Sequence, residues 1–113
     1  MPCLFCEIAT GKLPARVAHQ DEDLIAFHDI NPQAPTHVLI IPRKHITSLL
    51  DMTPEDDALV GRLVRRARDL AQELGLAERG FRVLFNTGPD AGYSVYHIHL
   101  HLVGGRKLGW PPG

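Results

Sequence analysis

Apolar residues recur at helical spacing in the middle of the chain. From residue 54 to residue 74 they follow one another at steps of one, three and four positions, which is typical of an amphipathic helix with a single apolar stripe. Thr53 suits the N-cap, Pro54 suits the first helical position, and Gly75 suits the residue beyond the last turn. The pattern therefore predicts one long helix over residues 54–74.

Short β-rich runs lie on both sides of this helix. They predict strands at residues 17–19, 24–28, 37–41, 81–86 and 96–103, with an acidic hairpin turn between the first two. Residues 3–10 are expected to form a short opening helix. Together these elements predict one α+β domain over residues 1–113, with a mainly antiparallel five-stranded sheet, one long helix and a short N-terminal helix.

Composition narrows the classes of partner. Lys and Arg number 12 against 13 Asp and Glu, so the formal net charge is -1. This balance gives no support to a nucleic-acid or membrane-surface binder. No apolar run reaches the roughly 18 residues of a membrane span, and the first residues do not resemble a signal peptide. We therefore expect a cytoplasmic protein, with Cys3 and Cys6 too close together to form a disulfide framework.

Three histidines near the end of the chain are the first candidates for chemistry. His97, His99 and His101 alternate with apolar residues, so on a strand the three imidazoles would share one face. These histidines could simply be tolerated on the polar outer face of the strand, could bind a metal, or could supply a nucleophile. A straight strand separates the outer pair by about 13 Å, so one metal could take only one or two of them.

The loop before these histidines favours a phosphate site. Gly88 and Gly92 allow the backbone to approach a ligand closely, while Asn86 and Ser94 contribute short polar side chains. Backbone N–H groups in such a turn can form a nest for an anion.

Residues 94–102 resemble the histidine triad (HIT) motif, in which three histidines alternate with apolar residues. Residues 13–15, 26–35, 37–46 and 104–113 are similar to the nucleotide-binding (HINT) branch of this family, so the resemblance covers nearly the whole chain. It implies the HIT-like fold. One departure is Tyr93, which stands where many family members have glutamine.

The resemblance implies a purine nucleoside phosphoramidase that passes through a nucleotidylated histidine and releases a nucleoside monophosphate. His99 would be the nucleophile, and His97 and His37 would form the relay that orients it. His101 and Ser94 would bind phosphate oxygens. No cofactor is expected for this catalysis.

The resemblance also implies the residues that bind the nucleotide. Asp29 would hold the ribose hydroxyls beside the backbone of Ile30. The phosphate cradle would be completed by Asn86 and Gly92, and Val95 would also bind the nucleotide. The purine slot would be lined by Leu4, Phe5, Ile8, Phe27, His28 and Leu39.

Cys3 and Cys6 form a lone C-x-x-C motif, which is half of a tetrahedral zinc site. The resemblance adds His45 and His97 as the other two ligands of a structural zinc ion. The alternative is two reduced thiols in a short helix. The two roles of His97 conflict, because a metal-bound imidazole cannot also shuttle a proton.

Several functions are compatible with these residues. The resemblance implies a homodimer, and Trp110 is a plausible exposed anchor for the partner. The same fold could instead hydrolyse dinucleoside polyphosphates or acyl-nucleotides. It could bind purine nucleotides for regulation without turnover, or it could be a zinc-dependent structural module.

Overall fold

The computed structural model describes residues 3–113. A five-stranded antiparallel sheet has the strand order β1-β2-β3-β5-β4. Strand β3 is therefore central, β2 and β5 flank it, and β1 and β4 are the edges. The elements are α1 (Leu4–Ala9), β1 (Val17–Gln20), β2 (Leu24–His28), β3 (Thr36–Pro42), α2 (Asp57–Glu73), β4 (Phe81–Leu84) and β5 (Leu100–Gly104). The predicted fold class is confirmed.

The register of β3 against β5 assigns each residue to one face of the sheet. Val38 pairs with Leu102, and Leu39 pairs with His101. Directly opposed residues point to the same face. Val38 and Leu102 lie in the core under α2, whereas Leu39 lies in a second core beneath α1. His101 therefore lies on the α1 face of the sheet, where the candidate site is found.

The long helix forms where its periodicity predicts it. A 3-10 turn covers Pro54–Asp56, so the α-helix itself runs from Asp57 to Glu73. The Asp56 carboxylate accepts a hydrogen bond from the Thr53 backbone N–H at 3.0 Å and another from Lys44 Nζ at 2.6 Å. The Thr53 N–H at the start of the helix therefore has a hydrogen-bond partner. Gly75 has a φ of 77°, which suits glycine after the last turn.

The last strand starts later than its sequence pattern predicts. It begins at Leu100 rather than at residue 96, so only His101 of the three alternating histidines lies on a strand. The Ile98 N–H donates to the Ile46 carbonyl at 2.7 Å, which ties this segment to the chain beyond β3. The prediction that three imidazoles share one face of a strand is therefore wrong for His97 and His99.

Other boundaries differ by one to two residues. Strand β4 ends at Leu84 rather than at residue 86, and α1 is Leu4–Ala9 with Cys3 as its N-cap. Over residues 3–113, the helices are all too short or too polar to cross a membrane.

Candidate functional site

A cavity of about 410 Å³ lies on the α1 face of the sheet. Its polar wall combines a carboxylate, a hydroxyl and imidazoles, and its apolar wall comes from α1, β2, β3 and the segment between α1 and β1. The lining residues are Leu4, Phe5, Ile8, Leu13, Pro14, Ala15, Phe27, His28, Asp29, Ile30, Leu39, Ser94, Val95, His99 and His101. No lysine or arginine is among these described residues.

The hydrogen bonds of His99 fix which ring nitrogen is free. Its Nδ1 lies 2.7 Å from the His97 carbonyl oxygen. A carbonyl oxygen only accepts, so Nδ1 carries the proton and the neutral ring keeps its lone pair on Nε2. His99 is buried and also lines the cavity. Its geometry therefore offers an unprotonated nitrogen at the end of the ring opposite the His97 carbonyl.

A chain of hydrogen bonds fixes the tautomer of His101, which is opposite to that of His99. The Gln33 backbone N–H donates to His37 Nδ1 at 3.1 Å, so the proton of neutral His37 is on Nε2. His37 Nε2 then donates to His101 Nδ1 at 2.9 Å, which leaves the His101 proton on Nε2. His99 thus presents a lone pair and His101 presents an N–H donor to the same cavity.

Burial keeps this histidine group neutral. Removal from water is the largest cause that lowers the pKa of His37, His99 and His101, since it disfavours the charged ring. For His101, the neighbouring His99 and His37 lower the pKa further, to about 4. Near neutral pH the rings are therefore uncharged, which is the state a nucleophilic imidazole requires.

Asp29 follows β2 and is held in place at the edge of the cavity. One carboxylate oxygen accepts the Asn31 backbone N–H at 2.9 Å, and the other lies 3.5 Å from His37 Nε2. The Asp29 backbone N–H donates to the His37 carbonyl at 2.9 Å. The neighbouring Ile30 side chain is fully exposed, although the residue lines the cavity. A fixed carboxylate at this position can accept two hydroxyl groups.

The His97 ring lies outside the predicted relay. Its Nε2 lies 2.8 Å from the Pro42 carbonyl, which only accepts, so Nδ1 carries the free lone pair. That Nδ1 faces Cys3 Sγ at 3.3 Å, Cys6 Sγ at 3.5 Å and His45 Nδ1 at 3.2 Å. The hydrogen bond between His97 and His99 uses the His97 backbone carbonyl, while the His97 ring faces the cysteines. A contribution of the His97 ring to the relay stays a prediction.

The four cysteine and histidine ligand atoms have the spacing of a tetrahedral metal site. All of them lie within 4.8 Å of one another, and Cys6 Sγ is 3.4 Å from His45 Nδ1. With Zn–S bonds of about 2.3 Å and Zn–N bonds of about 2.0 Å, tetrahedral ligand atoms are separated by about 3.3–3.8 Å. Cys3, Cys6, His45 and His97 can therefore hold a zinc ion.

The loop before the histidines supplies the remaining predicted residues. Ser94 and Val95 line the cavity, and Asn86 Nδ2 lies 3.4 Å from His101 Nε2. Gly92 has a φ of 77° and ends the 3-10 turn Pro89–Ala91. Asn86 and Gly92 are not among the lining residues. Gly92 shapes the loop, and the Asn86 amide supports the His101 N–H only in the orientation in which Oδ1, rather than Nδ2, faces His101 Nε2.

Two parts of the site were not predicted from the sequence. The first is the wall formed by Leu13, Pro14 and Ala15, which was noted only as a matching segment. The second is Tyr93, whose ring stacks on His99 with centroids 5.7 Å apart and an interplanar angle of 14°. Its replacement of the usual glutamine was the signal that could have found it.

The chain is similar to known proteins over nearly its whole length. A family model described as scavenger mRNA decapping enzyme C-term binding matches residues 2–109. A solved structure of a HIT family hydrolase from Legionella pneumophila Philadelphia 1 has 53% identity and a TM-score of 0.97, and the match covers 99% of this chain and 100% of that one.

Two plant relatives are similar over nearly the whole chain. The 14 kDa zinc-binding protein of Zea mays is 46% identical, over 99% of this chain and 88% of its own length. The adenylylsulfatase HINT1 of Arabidopsis thaliana is 44% identical, over 99% of this chain and 77% of its own length. The chain belongs to the histidine triad (HIT) family.

Proposed function

We propose that this protein hydrolyses purine nucleoside phosphoramidates through a covalent nucleotidyl intermediate on His99. The observation that carries the proposal is the 2.7 Å contact between His99 Nδ1 and the His97 carbonyl, because it leaves the Nε2 lone pair free in a cavity of nucleotide size. The HIT family hydrolase from Legionella supports the reaction class.

In the first step, His99 Nε2 attacks the α-phosphorus and the phosphorus–nitrogen bond breaks. The amine leaves with the electron pair of that bond and takes up a proton. In the second step, water attacks the same phosphorus, the His99 bond breaks, and the nucleoside monophosphate leaves with release of a proton. The two steps consume one water molecule, and the free imidazole is restored.

Stabilisation of phosphate charge depends on neutral donors, because no lysine or arginine is among the described residues that line the cavity. The His101 Nε2–H and the Ser94 hydroxyl are the donors available beside His99. The His37 contact holds the His101 proton in this direction before substrate binds, so the ring does not have to reorganise during the reaction.

The rest of the cavity suits a purine nucleoside. Asp29 accepts the ribose hydroxyls, beside the Ile30 backbone. An apolar slot formed by Phe5, Ile8 and Leu39 encloses the base, and Leu4, Phe27, His28 and Val95 extend it. Phe5 and Phe27 pack edge to face at 5.4 Å, which gives the slot a rigid aromatic wall.

A structural zinc ion at Cys3, Cys6, His45 and His97 is part of the proposal. The ligand spacing supports it, and the Zea mays relative is named a zinc-binding protein. When bound, zinc would supply a cross-link among α1, the end of β3 and the segment before β5. His97 would bind the metal through Nδ1, while its backbone carbonyl accepts from His99. Metal binding and the orientation of His99 would therefore use different atoms of His97.

A related reaction differs only in the leaving group. The Arabidopsis relative is named an adenylylsulfatase, which favours an adenylyl group joined to sulfate as a second substrate class. Acyl-nucleotides and dinucleoside polyphosphates would use the same nucleophile. Binding without turnover is the alternative in which His99 forms no covalent intermediate.

Mass spectrometry of protein that is quenched rapidly without acid tests the proposal, because the phosphorus–nitrogen bond of the adduct is acid-labile. The wild type is mixed with adenosine phosphoramidate, and we expect an added mass of one adenylyl group that is absent in His99→Gly. His19→Gly is the matched control, because His19 lies on β1 and contacts Asp21 rather than the cavity. Turnover of the substrate without this adduct, or an adduct that persists in His99→Gly, would contradict the proposed mechanism.

A homodimer also fits the exposed surface of the sheet. Strand β4 is an edge, and its Phe81 and Val83 are each 37% exposed on the α2 side, because Val83 opposes Leu102. Val64 of α2 is also exposed. An apolar edge of this kind is suited to pairing with a second copy. Trp110 is 83% exposed and could add to that contact.

A further inference from the structure

Tyr93 lies against one face of the His99 ring. The two rings are nearly parallel, with an interplanar angle of 14° and a centroid separation of 5.7 Å. This geometry is an offset stack, which is one of the favourable arrangements of aromatic rings. Tyr93 is therefore in direct contact with the imidazole that carries the proposed nucleophile.

The surrounding loop holds Tyr93 in this position. Its hydroxyl donates to the Thr47 carbonyl, and its backbone N–H donates to the Gly88 carbonyl at 3.2 Å. The side chain is 9% exposed. Burial and the nearby Asp51 raise the pKa of Tyr93, so the phenol keeps the proton that it donates to Thr47.

Phe5 contacts the same imidazole from another direction. Its ring meets the His99 ring at 89° with centroids 5.1 Å apart. Together with the Nδ1 hydrogen bond to His97, these two contacts restrict both the rotation and the tilt of the ring. A nucleophile held in one orientation reacts faster, because less orientational entropy is lost on reaching the transition state.

The stack also matters for charge. When Nε2 bonds to phosphorus while Nδ1 keeps its proton, the His99 ring becomes positively charged. An aromatic face within about 6 Å of a cation stabilises it by about 0.5–2 kcal/mol in exposed to desolvated settings. The Tyr93 ring is within this range of the charge that develops in the transition state.

We propose that Tyr93 is a positioning residue for the nucleophile, acting through its aromatic ring, which orients His99 and stabilises the imidazolium of the covalent intermediate. This inference rests on the proposed function of His99. It assigns a role to the position at which this chain departs from the glutamine of many family members. The ring, rather than the hydroxyl, supplies the effect.

Two substitutions at this position separate ring from hydroxyl. Tyr93→Phe keeps the stack and loses the bond to Thr47, whereas Tyr93→Leu removes the stack. In single-turnover experiments with adenosine phosphoramidate, we expect Tyr93→Leu to slow adduct formation about tenfold with KM changed less than about twofold. Tyr93→Phe should stay within about twofold of wild type. Leu50→Ala is the control for loss of an apolar side chain outside the cavity, because Leu50 is largely exposed and does not line it.

An NMR measurement reports the contact without any substrate. The ring current of Tyr93 should shift the His99 ring-proton resonances in wild type and Tyr93→Phe, and this shift should be lost in Tyr93→Leu. Equal adduct rates in wild type and Tyr93→Leu would overturn the inference, as would a loss in Tyr93→Phe as large as that in Tyr93→Leu. If wild type forms no adduct at all, the proposed function fails, while the NMR shifts still test the stack.

Discussion

His37 Nε2 and His101 Nδ1 lie 2.9 Å apart across the β3–β5 pair. The Gln33 N–H fixes the His37 tautomer from the other side, so a backbone group sets the proton position on His101 through one intervening ring. This arrangement makes His101 a donor while His99, only two residues earlier, remains an acceptor. The division of labour between two identical side chains thus follows from different hydrogen-bond partners.

Replacement of His37 tests this relay. His37→Leu removes the donor to His101 Nδ1, so His101 loses its fixed tautomer and its alignment with the phosphate. We expect His99 adenylylation to slow about 10- to 100-fold, which is less than the roughly 10²–10³-fold loss on removal of a direct donor, because His101 itself is retained. Stopped-flow or quenched mass measurements give the rate, and His19→Leu is the control on a half-buried histidine of β1 that does not line the cavity. An unchanged rate in a folded His37→Leu variant would remove His37 from the mechanism.

Asp29 provides a test of nucleoside recognition. Asp29→Asn keeps the side-chain oxygen that accepts the Asn31 N–H but removes the charge that binds hydroxyls. We expect kcat/KM for a ribonucleoside phosphoramidate to fall about tenfold or more, as for loss of charge-assisted hydrogen bonds. With a substrate that lacks both ribose hydroxyls, wild type and variant should differ little. An equal loss on both substrates would mean that Asp29 acts through His37 instead.

The zinc proposal predicts one metal ion per chain. Metal analysis of purified protein should give this ratio for wild type, and Cys3→Ser,Cys6→Ser should retain no metal. Because bound metal stabilises only the folded state, we expect a chelator to lower Tm by about 10 °C in wild type. The double variant should melt at the same temperature with and without chelator. Metal-free wild type with an unchanged Tm would leave two reduced thiols as the correct interpretation.

The edge of the sheet predicts a dimer that one charge can disrupt. Val83→Lys places an ammonium group on the exposed α2 side of β4, so we expect sedimentation to show a dimer for wild type and a monomer for the variant. Val17→Lys is the matched control, because Val17 is 43% exposed on the opposite edge strand β1. Dissociation by Val17→Lys rather than by Val83→Lys would place the interface on the other edge.

Local patterns predicted most of the fold. The period of α2, with its Thr53 and Pro54 start, is a property of neighbouring residues, and the structure confirms it. The late start of β5 could not be predicted in this way, because the Ile98 to Ile46 hydrogen bond joins distant parts of the chain. The alternation of the histidines indicated chemistry, yet it did not reveal that the His97 ring turns toward the cysteines.

The same limit applies to contacts within the site. Phe5 of α1 and Tyr93 of the loop following β4 contact the same imidazole, although they are far apart in the sequence. Sequence spacing contains no information about such an encounter. The residue types therefore predicted the chemistry of the site, whereas the orientation of the His99 imidazole depends on tertiary structure.

The buried histidines predict a loss of stability in mild acid. In an unfolded chain the pKa of histidine is about 6.5, whereas in the folded chain that of His101 is about 4. Between these two pH values the unfolded chain binds a proton that the folded chain does not, so the free energy of unfolding falls as the pH falls. Above about pH 6.5 both states are neutral and this contribution vanishes.

The shifts of His37 and His99 have the same direction, so His101→Asn should reduce the pH dependence without abolishing it. Urea unfolding at pH 7.0, 5.5 and 4.5 measures the effect, with chelator present throughout so that acid release of metal does not contribute. We expect wild type to lose more stability than His101→Asn over this range. The lowered pKa values of Asp21 and Asp56 act at more acidic pH, because the ordinary carboxyl value is already 3.8. Parallel losses in the two proteins would show that His101 is not held neutral by the fold.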